Sequence, residues 1–288
     1  MFTKYARLMF LTKTNVIFIS LFIVISILSA SNVFGNQKYN SFKNDYVEIS
    51  FINAWETKQG NLFALYIKMK ENWKTYWRNP GESGFAPELK LLSDKNLKKI
   101  KIYWPTPKIF YENETIINGY EKDLILPILF LKNKNESQVE FEIELTIGFC
   151  EDICIPIKLL LNSKDAFKSS EKMNKMISYS LKNNPKELLS SKKLVSCDVK
   201  KIGNEMIIIS KFDNSFFSKK KYIDHLILEY KDDQVWFSEI KKLSNKNYIS
   251  QIKSIDDENF LLNKSKIKYT IITESGGFQI NGCKSNYN

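Results

Sequence analysis

Two cysteines separated by three residues, Cys150 and Cys154, constrain this chain more than any other feature. Residues 141–149 before them begin with the apolar and polar alternation of a half-buried strand, and a second apolar run starts at Ile155. A continuous strand would hold the two Cα atoms roughly 13 Å apart, beyond the about 4.4–6.8 Å that a disulfide tolerates. Because Pro156 argues against a helix, the sequence predicts a tight hairpin whose mouth is closed by a Cys150–Cys154 disulfide.

The N-terminus predicts the compartment. Three basic residues, Lys4, Arg7 and Lys13, precede an uncharged apolar stretch over residues 16–28, and small and polar residues follow. This layout is typical of a secretory signal peptide, which we place at residues 1–35. We therefore expect an exported, periplasmic protein. An uncleaved membrane anchor is the alternative, but an apolar stretch of about 13 residues falls short of the roughly 20 that a spanning helix needs.

Charge excludes one class of partner. The formal net charge is +11, and removal of the three basic residues of the signal leaves +8. The excess lysines are scattered among acidic and amide residues instead of forming a stripe with aromatics, so we expect no nucleic-acid binding. Arg78 is the only arginine outside the signal. Its planar guanidinium group can bind a carboxylate with two hydrogen bonds, which makes Arg78 a candidate residue for docking a partner. A surface cation beside Trp77 is the alternative interpretation.

The remaining sequence predicts an all-β chain of two antiparallel β-sandwiches. Short apolar or alternating runs recur along it, as expected for strands. These runs cover residues 46–52, 62–69, 99–104, 124–130, 193–199, 206–210, 225–230, 235–237, 266–272 and 277–280. Turn-type residues at 79–81 and 118–119 are expected to separate runs of the first sandwich. We place the first sandwich in residues 36–163 and a smaller second one in residues 191–288.

A helical connector is predicted between the sandwiches, over residues 164–190. Apolar residues recur there at steps of three and four, which is the period of a helix face. They are Ala166, Phe167, Met173, Met176, Ile177 and Leu181. Two asparagines and Pro185 mark the expected end of the helix.

The two other cysteines, Cys197 and Cys283, lie in the first and last strand-like stretches of the second sandwich. An exported chain with an even cysteine count favours two bridges, so we pair them. Closing their long loop would stabilise the fold by about 4.6 kcal/mol, and closing the five-residue loop at Cys150 by only about 2 kcal/mol. We therefore expect a structural Cys197–Cys283 disulfide and a reactive Cys150–Cys154 pair.

Four ordered blocks of the first sandwich resemble a known family. They are Asn72–Gly84, Tyr103–Pro107, Gly119–Pro127 and Gly148–Pro156. These blocks resemble the periplasmic N-terminal domain of the thiol:disulfide interchange protein DsbD, and more closely the corresponding region of ScsB, a suppressor of copper sensitivity, and its stand-alone soluble relatives. The second sandwich resembles the domain that follows in the same relatives more weakly.

The resemblance implies a fold and an activity. The sandwiches would be immunoglobulin-like, and the cysteine pair would pass electrons from a membrane-embedded thiol reductase, DsbD- or CcdA-like, to exported thioredoxin-fold or disulfide-bearing clients, without a cofactor. Cys154 would form mixed disulfides with partners and Cys150 would resolve them. DsbD itself has a longer spacing between its cysteines, so ScsB is the better template. DsbD also covers its cysteines with a cap loop, here about residues 110–117, where Phe110 and Tyr111 are the candidate capping aromatics.

Two carboxylates separate the thiols. Glu151 and Asp152 would raise the thiol pKa and disfavour the reactive thiolate, and the motif contains no lysine or histidine to offset them. We therefore expect a pair that is slow with random oxidants and becomes reactive when a docked partner supplies a base or a positive group.

Two other functions are alternatives to exchange. Two thiolates could hold Cu(I), but the only histidine, His225, lies in a strand-like run of the other sandwich, and no methionine flanks the pair. Copper handling therefore stays an alternative, with no metal site assigned. A non-catalytic sandwich that binds partners, with both bridges structural, is the second alternative. Serine-type hydrolysis is disfavoured, because the chain has no nucleophile-elbow motif.

Overall fold

We describe a computed structural model of the chain. It describes residues 40–112, 115–133, 139–188, 194–203, 205–217, 222–230, 235–238, 240–254 and 262–285. The predicted signal peptide, residues 1–35, lies outside these ranges. The expected all-β class is confirmed, and within the described ranges no helix is long and apolar enough to cross a bilayer.

Twelve strands described between residues 41 and 168 form two six-stranded sheets. The first sheet contains β1 Ser41–Lys43, β2 Val47–Thr57, β3 Gly60–Met69, β6 Leu97–Ile102, β9 Asp123–Lys132 and β12 Phe167–Lys168. The second sheet contains β4 Lys74–Gly81, β5 Glu88–Lys95, β7 Lys108–Glu112, β8 Thr115–Glu121, β10 Glu140–Cys150 and β11 Cys154–Asn162. All pairings are antiparallel except that of β12 with β2.

A shared hydrophobic core joins these two sheets. Phe51, Phe63 and Phe130 of the first sheet contact Phe141 of the second, and the rings of Phe130 and Phe141 stack with centroids 3.7 Å apart. All four side chains are buried. Alternating residues of β10 also enter this core, as the sequence pattern predicts for a strand with one buried face. The predicted sandwich is thus confirmed for this part of the chain.

The strand that carries Cys150 changes its neighbour along its length. Over residues 140–146, β10 pairs with β5. Only its last two residues, Phe149 and Cys150, pair with β4. The Thr75 hydroxyl of β4 donates a buried hydrogen bond of 2.8 Å to the Gly148 carbonyl at this change of partner. The end of β10 is therefore anchored to β4 by a short ladder of its own.

Both predicted turns of the first sandwich are wrong. Residues 79–81 lie in β4, where its register against β8 shifts, and residues 118–119 lie inside β8. Glycine is needed at both places for close backbone approach, because a Cβ on Gly81 would meet the Ile116 carbonyl and one on Gly119 the Thr75 carbonyl. These glycines mark strand irregularity and close packing, which sequence alone does not separate from a turn.

The predicted helix is present, but it begins later than the apolar pattern, which started at Ala166. Helix α1 spans Glu171–Lys182, and the Ser170 side chain caps it by accepting a bond of 3.2 Å from the Met173 amide. Phe167, counted in the helix pattern, instead pairs with Ile52 of β2 and belongs to β12. The helix packs Ile177 against the outer face of the first sheet, among Leu62, Ala64, Ile125 and Leu129.

Ten further strands form two more sheets. The four-stranded sheet contains β13 Lys186–Glu187, β16 His225–Tyr230, β20 Ile267–Thr273 and β21 Gly276–Asn281. The six-stranded sheet contains β14 Val195–Ile202, β15 Glu205–Phe212, β17 Val235–Phe237, β18 Lys241–Lys242, β19 Asn247–Ser254 and β22 Lys284–Ser285. A short helix, α2 Asn214–Phe217, and a 3-10 turn, Lys264–Lys266, lie between strands. A separate core of buried side chains, which includes Phe212 and Tyr269, joins these two sheets.

The described sheets thus have two cores, one for each pair of sheets. The described residues from 40 to 285 nevertheless form one compact unit. The boundaries at residues 163 and 191, the connector role of the helix and the immunoglobulin-like detail therefore stay predictions.

Candidate redox site

A hairpin brings Cys150 and Cys154 together. Cys150 is the last residue of β10 and Cys154 the first of β11, and the two are direct partners across the hairpin. Their Cα atoms lie 4.2 Å apart and the sulfurs form a disulfide. The turn between them is closed by a bond of 3.3 Å from the Glu151 amide to the Ile153 carbonyl. The predicted hairpin and pairing are confirmed.

The two cysteines have different surroundings. Cys150 is 7% exposed and packs with Tyr76 and Ile117 in a small cluster on the outer face of the second sheet. Cys154 is exposed, and its neighbour Ile153 is 69% exposed. A partner approaching the hairpin mouth therefore meets Cys154 first, while Cys150 lies behind it.

Tyr76 is the residue that sequence reasoning missed. Its hydroxyl lies 2.7 Å from Cys150 Sγ and 3.1 Å from Cys154 Sγ. A disulfide sulfur carries no proton, so the hydroxyl must be the donor in both contacts. Burial, and secondarily the charge of Glu112, raise the pKa of Tyr76, so the phenol keeps its proton at neutral pH. Once β4 is known to pair with the end of β10, the alternation of side chains along β4 explains this contact.

A lysine also lies beside the pair. Lys74 is the direct partner of Cys150 on β4, and its ammonium contacts Glu112 Oε1 of β7 at 2.5 Å. The same ammonium lies 5.5 Å from the ring centroid of Phe110. The fold therefore places a lysine from outside the motif opposite Cys150 in the ladder, and Glu112 balances its charge. Sequence spacing gave no sign of this, because Lys74 lies 76 residues before Cys150.

The two candidate capping aromatics are placed differently. Phe110 and Tyr111 lie in β7, which pairs with β8 where a cap loop was expected. Phe110 packs against the cluster that contains Cys150. Tyr111 is 65% exposed, and its hydroxyl lies 3.4 Å from Nδ1 of His225 in the second pair of sheets. Burial lowers the pKa of His225, which keeps the ring neutral. Of the two candidates, Phe110 is the one that packs beside Cys150, and its capping role stays a prediction.

Arg78 binds a carboxylate of its own chain. Its guanidinium donates two hydrogen bonds of 2.8 Å to the two carboxylate oxygens of Glu229, and it lies 4.0 Å from the Trp77 ring centroid. The side chains of Arg78 and Glu229 are only 21% and 15% exposed. The guanidinium group is thus occupied by Glu229 of β16, and the docking role stays a prediction. The Trp77 contact of the alternative is present, and the Arg78 side chain is partly buried.

Glu151 and Asp152 are exposed on the turn between the thiols. They lie at the hairpin mouth, where a partner would approach. Their expected effect on the thiols stays a prediction.

The second bridge lies in a different environment. Cys197 of β14 and Cys283, which precedes β22, form a disulfide with Cα atoms 5.7 Å apart. Cys197 is 0% and Cys283 9% exposed. The predicted pairing is confirmed. In the described part of the chain, no group of three histidine, cysteine or acidic side chains could hold a metal ion.

Comparison with known proteins agrees with this geometry. Residues 46–162 match the family model of the N-terminal region of the thiol:disulfide interchange protein DsbD. The matched stretch contains Tyr76, Cys150 and Cys154. The resemblance expected from the four sequence blocks is thus confirmed. No curated protein matches the chain.

The fold is shared with a solved structure. The N-terminal periplasmic domain of ScsB from Proteus mirabilis aligns with a TM-score of 0.61 at 16% identity, covering 87% of this chain and 99% of that one. A conserved domain protein from Bacillus anthracis aligns at 7% identity over 83% of this chain and 77% of that one, with a TM-score of 0.22. A chaperone–adhesin complex of Acinetobacter baumannii Csu pili aligns at 10% identity over 83% and 99%, with a TM-score of 0.21. The last two scores are too low to indicate a shared fold.

Proposed function

We propose that this protein exchanges disulfides with partner proteins through Cys150 and Cys154, as one step of a periplasmic electron relay. The observation that carries the proposal is the asymmetric pair at the hairpin mouth, with Cys154 exposed and Cys150 7% exposed. Exchange requires one sulfur that a partner can reach and a second that can leave and later return. The match of residues 46–162 to the DsbD N-terminal family supports the same activity.

In the proposed reaction, a thiolate of a reduced partner attacks Cys154 Sγ. The electron pair of the disulfide passes to Cys150 Sγ, which leaves as a thiolate. A second thiolate of the partner then attacks the partner's own sulfur in the mixed disulfide and releases Cys154. The partner's dithiol is oxidised and this protein is reduced. The same steps in reverse reduce a client disulfide, and the reduction potentials of the partners set the direction.

The partners we propose are a membrane-embedded thiol reductase as donor and exported thioredoxin-fold or disulfide-bearing proteins as clients. The ScsB relative is described as a periplasmic domain, and the basic and apolar N-terminal sequence supports export of this chain. Fractionation of the native host with an antibody to residues 40–288 would test the compartment. Recovery in the cytoplasmic fraction would contradict it.

Mixed-disulfide trapping tests the exchange itself. Cys150→Ala removes the resolving sulfur, so partners that react with Cys154 should stay covalently bound. We expect adducts of higher mass on non-reducing gels of the native host, lost on reduction and identifiable by mass spectrometry.

Cys154→Ala is the matched control for trapping. It keeps one thiol, but that thiol is the buried Cys150, so we expect few or no adducts. Equal trapping by both variants would contradict the assignment of Cys154 as the reacting sulfur. No adducts with either variant would favour a partner-binding sandwich with two structural bridges.

A further inference from the structure

We propose that the Tyr76 hydroxyl is a catalytic hydrogen-bond donor that stabilises the Cys150 thiolate as the disulfide opens. This inference rests on the proposed exchange at Cys150 and Cys154 and adds a third group to it. The observation that supports it is the position of the Tyr76 hydroxyl, which lies 2.7 Å from Cys150 Sγ and 3.1 Å from Cys154 Sγ.

Burial creates the need for such a donor. When the bond opens, Cys150 takes up a negative charge at a position that is only 7% exposed. Few water molecules can solvate the sulfur there, so the charged form is disfavoured unless a fixed donor stabilises it. Cys154 has no such need, because it is exposed. The shorter of the two tyrosine contacts is made to the buried sulfur, where the leaving charge develops.

A disulfide sulfur is a weak acceptor and a thiolate a strong one, so the bond from Tyr76 strengthens during the reaction. Interactions that are stronger in the transition state than before it accelerate the step. As a partner thiolate attacks Cys154 Sγ, the electron pair of the S–S bond moves to Cys150 Sγ. The phenol donates its hydrogen bond to that sulfur and keeps its proton. In the reverse step the Cys150 thiolate attacks Cys154 Sγ in the mixed disulfide and the partner's sulfur leaves as a thiolate, while the hydroxyl keeps its proton.

The protein holds the phenol in this position. Tyr76 is 2% exposed and lies on β4 between Lys74 and Arg78. The charged groups around the site are Lys74 on the same strand and Glu112 on β7, which bind each other, and Glu151 and Asp152 on the turn beside Cys150. The first two balance one another, and the turn carboxylates oppose a thiolate. The phenol is therefore the donor that contacts the sulfur directly.

Tyr76→Phe removes the hydroxyl and keeps the ring. We expect reduction of the Cys150–Cys154 bond by dithiothreitol, a small dithiol, to slow about tenfold, because a hydrogen bond to a charged group is worth at least about that factor. Timed alkylation of the released thiols with mass spectrometry measures this rate. The matched control is Tyr120→Phe, which removes another buried hydroxyl, bound at 2.7 Å to the Pro105 carbonyl, and should leave the rate unchanged.

A pH profile separates this role from a structural one. In the Cys154→Ala background, the rate of Cys150 alkylation by iodoacetamide rises as the thiolate forms. Tyr76→Phe should move that rise to higher pH. Site-specific 3-fluorotyrosine at position 76, a more acidic phenol of nearly the same size, should move it to lower pH and speed reduction of the disulfide in the otherwise unchanged protein.

The outcomes distinguish the two proposals. If dithiothreitol opens the wild-type bond and neither substitution at position 76 changes the rate or the pH profile, the role of Tyr76 is overturned and the exchange proposal stands. If the wild-type bond resists the dithiol in the folded protein, the exchange proposal fails and the role of Tyr76 fails with it.

Discussion

The two disulfides of this protein have nearly opposite designs. Cys150–Cys154 closes a loop of five residues at the mouth of an exposed hairpin, with one sulfur buried and one cysteine exposed. Cys197–Cys283 links residues 86 positions apart, and both of its cysteines are buried. The first contacts a phenol hydroxyl, and the second lies in a hydrophobic core.

The difference shows that sequence separation and exposure together indicate what a disulfide does. A long loop restricts the unfolded chain strongly and so stabilises the fold, while a short loop restricts it little. A buried bridge is also protected from attack by thiolates, while an exposed one is not. Both criteria support the prediction that Cys197–Cys283 is structural. They likewise support the proposal that Cys150–Cys154 contributes less to stability and reacts with partners.

The sharpest test of this contrast removes each bridge in turn. Cys197→Ala with Cys283→Ala should lower the free energy of unfolding by about 4.6 kcal/mol, from loop entropy alone. Cys150→Ala with Cys154→Ala should lower it by only about 2 kcal/mol. Urea unfolding followed by circular dichroism measures both values. Equal losses, or a larger loss at the hairpin, would break the distinction between a stabilising and a reactive bridge.

A second test asks whether the two regions are independent. Arg78 of β4 and Glu229 of β16 join the pair of sheets that contains Cys150–Cys154 to the pair that contains Cys197–Cys283. Arg78→Lys keeps the positive charge but cannot form the bidentate pair of hydrogen bonds with Glu229. We therefore expect the free energy of unfolding to fall by about 1–3 kcal/mol.

The control for Arg78→Lys is Lys175→Gln. It removes an ion pair with Glu171 in which both side chains are more than three quarters exposed, at 77% and 85%. Such a pair should contribute less than about 0.5 kcal/mol. If Arg78→Lys changed stability no more than this control, the two regions would be energetically separate.

The smallest expected effect concerns the turn of the reactive hairpin. Glu151→Gln with Asp152→Asn removes two negative charges next to the thiols, and should speed alkylation of the reduced protein by iodoacetamide about threefold, as expected for weak interactions between exposed charges. Glu140→Gln with Glu142→Gln removes two charges from the far end of β10 and should leave the rate unchanged. An unchanged alkylation rate in the turn variant would contradict the expectation that these carboxylates lower the reactivity of the two thiols.

Local sequence predicted the hairpin because its chemistry is local. The alternation before Cys150, the apolar run after Cys154 and the geometry of a disulfide all lie within a few residues. The strands with strong apolar runs, such as β2, β3 and β9, were found for the same reason. The pairing of Cys197 with Cys283 followed from the cysteine count.

The surroundings of the pair could not be predicted, because they depend on which strands become neighbours. Tyr76 contacts the disulfide, and Lys74 lies opposite Cys150 in the ladder, because β4 pairs with the last two residues of β10. β4 was not recognised as a strand, since its asparagine, proline and glycine are typical of a turn. Arg78 shows the same limit, because its partner Glu229 lies 151 residues away. The sequence indicated that Arg78 binds a carboxylate, but it could not show that the carboxylate belongs to this chain.

The change of neighbour along β10 has a mechanical consequence. When a disulfide is reduced, its two sulfur atoms must move apart to van der Waals separation. Cys150 shares only a two-residue ladder with β4, while the ladder with β5 begins four residues earlier. Under the proposed exchange this displacement would arise beside the two-residue ladder, four residues beyond the last pair between β10 and β5. We therefore expect reduction of the pair to leave the register of β10 against β5 unchanged.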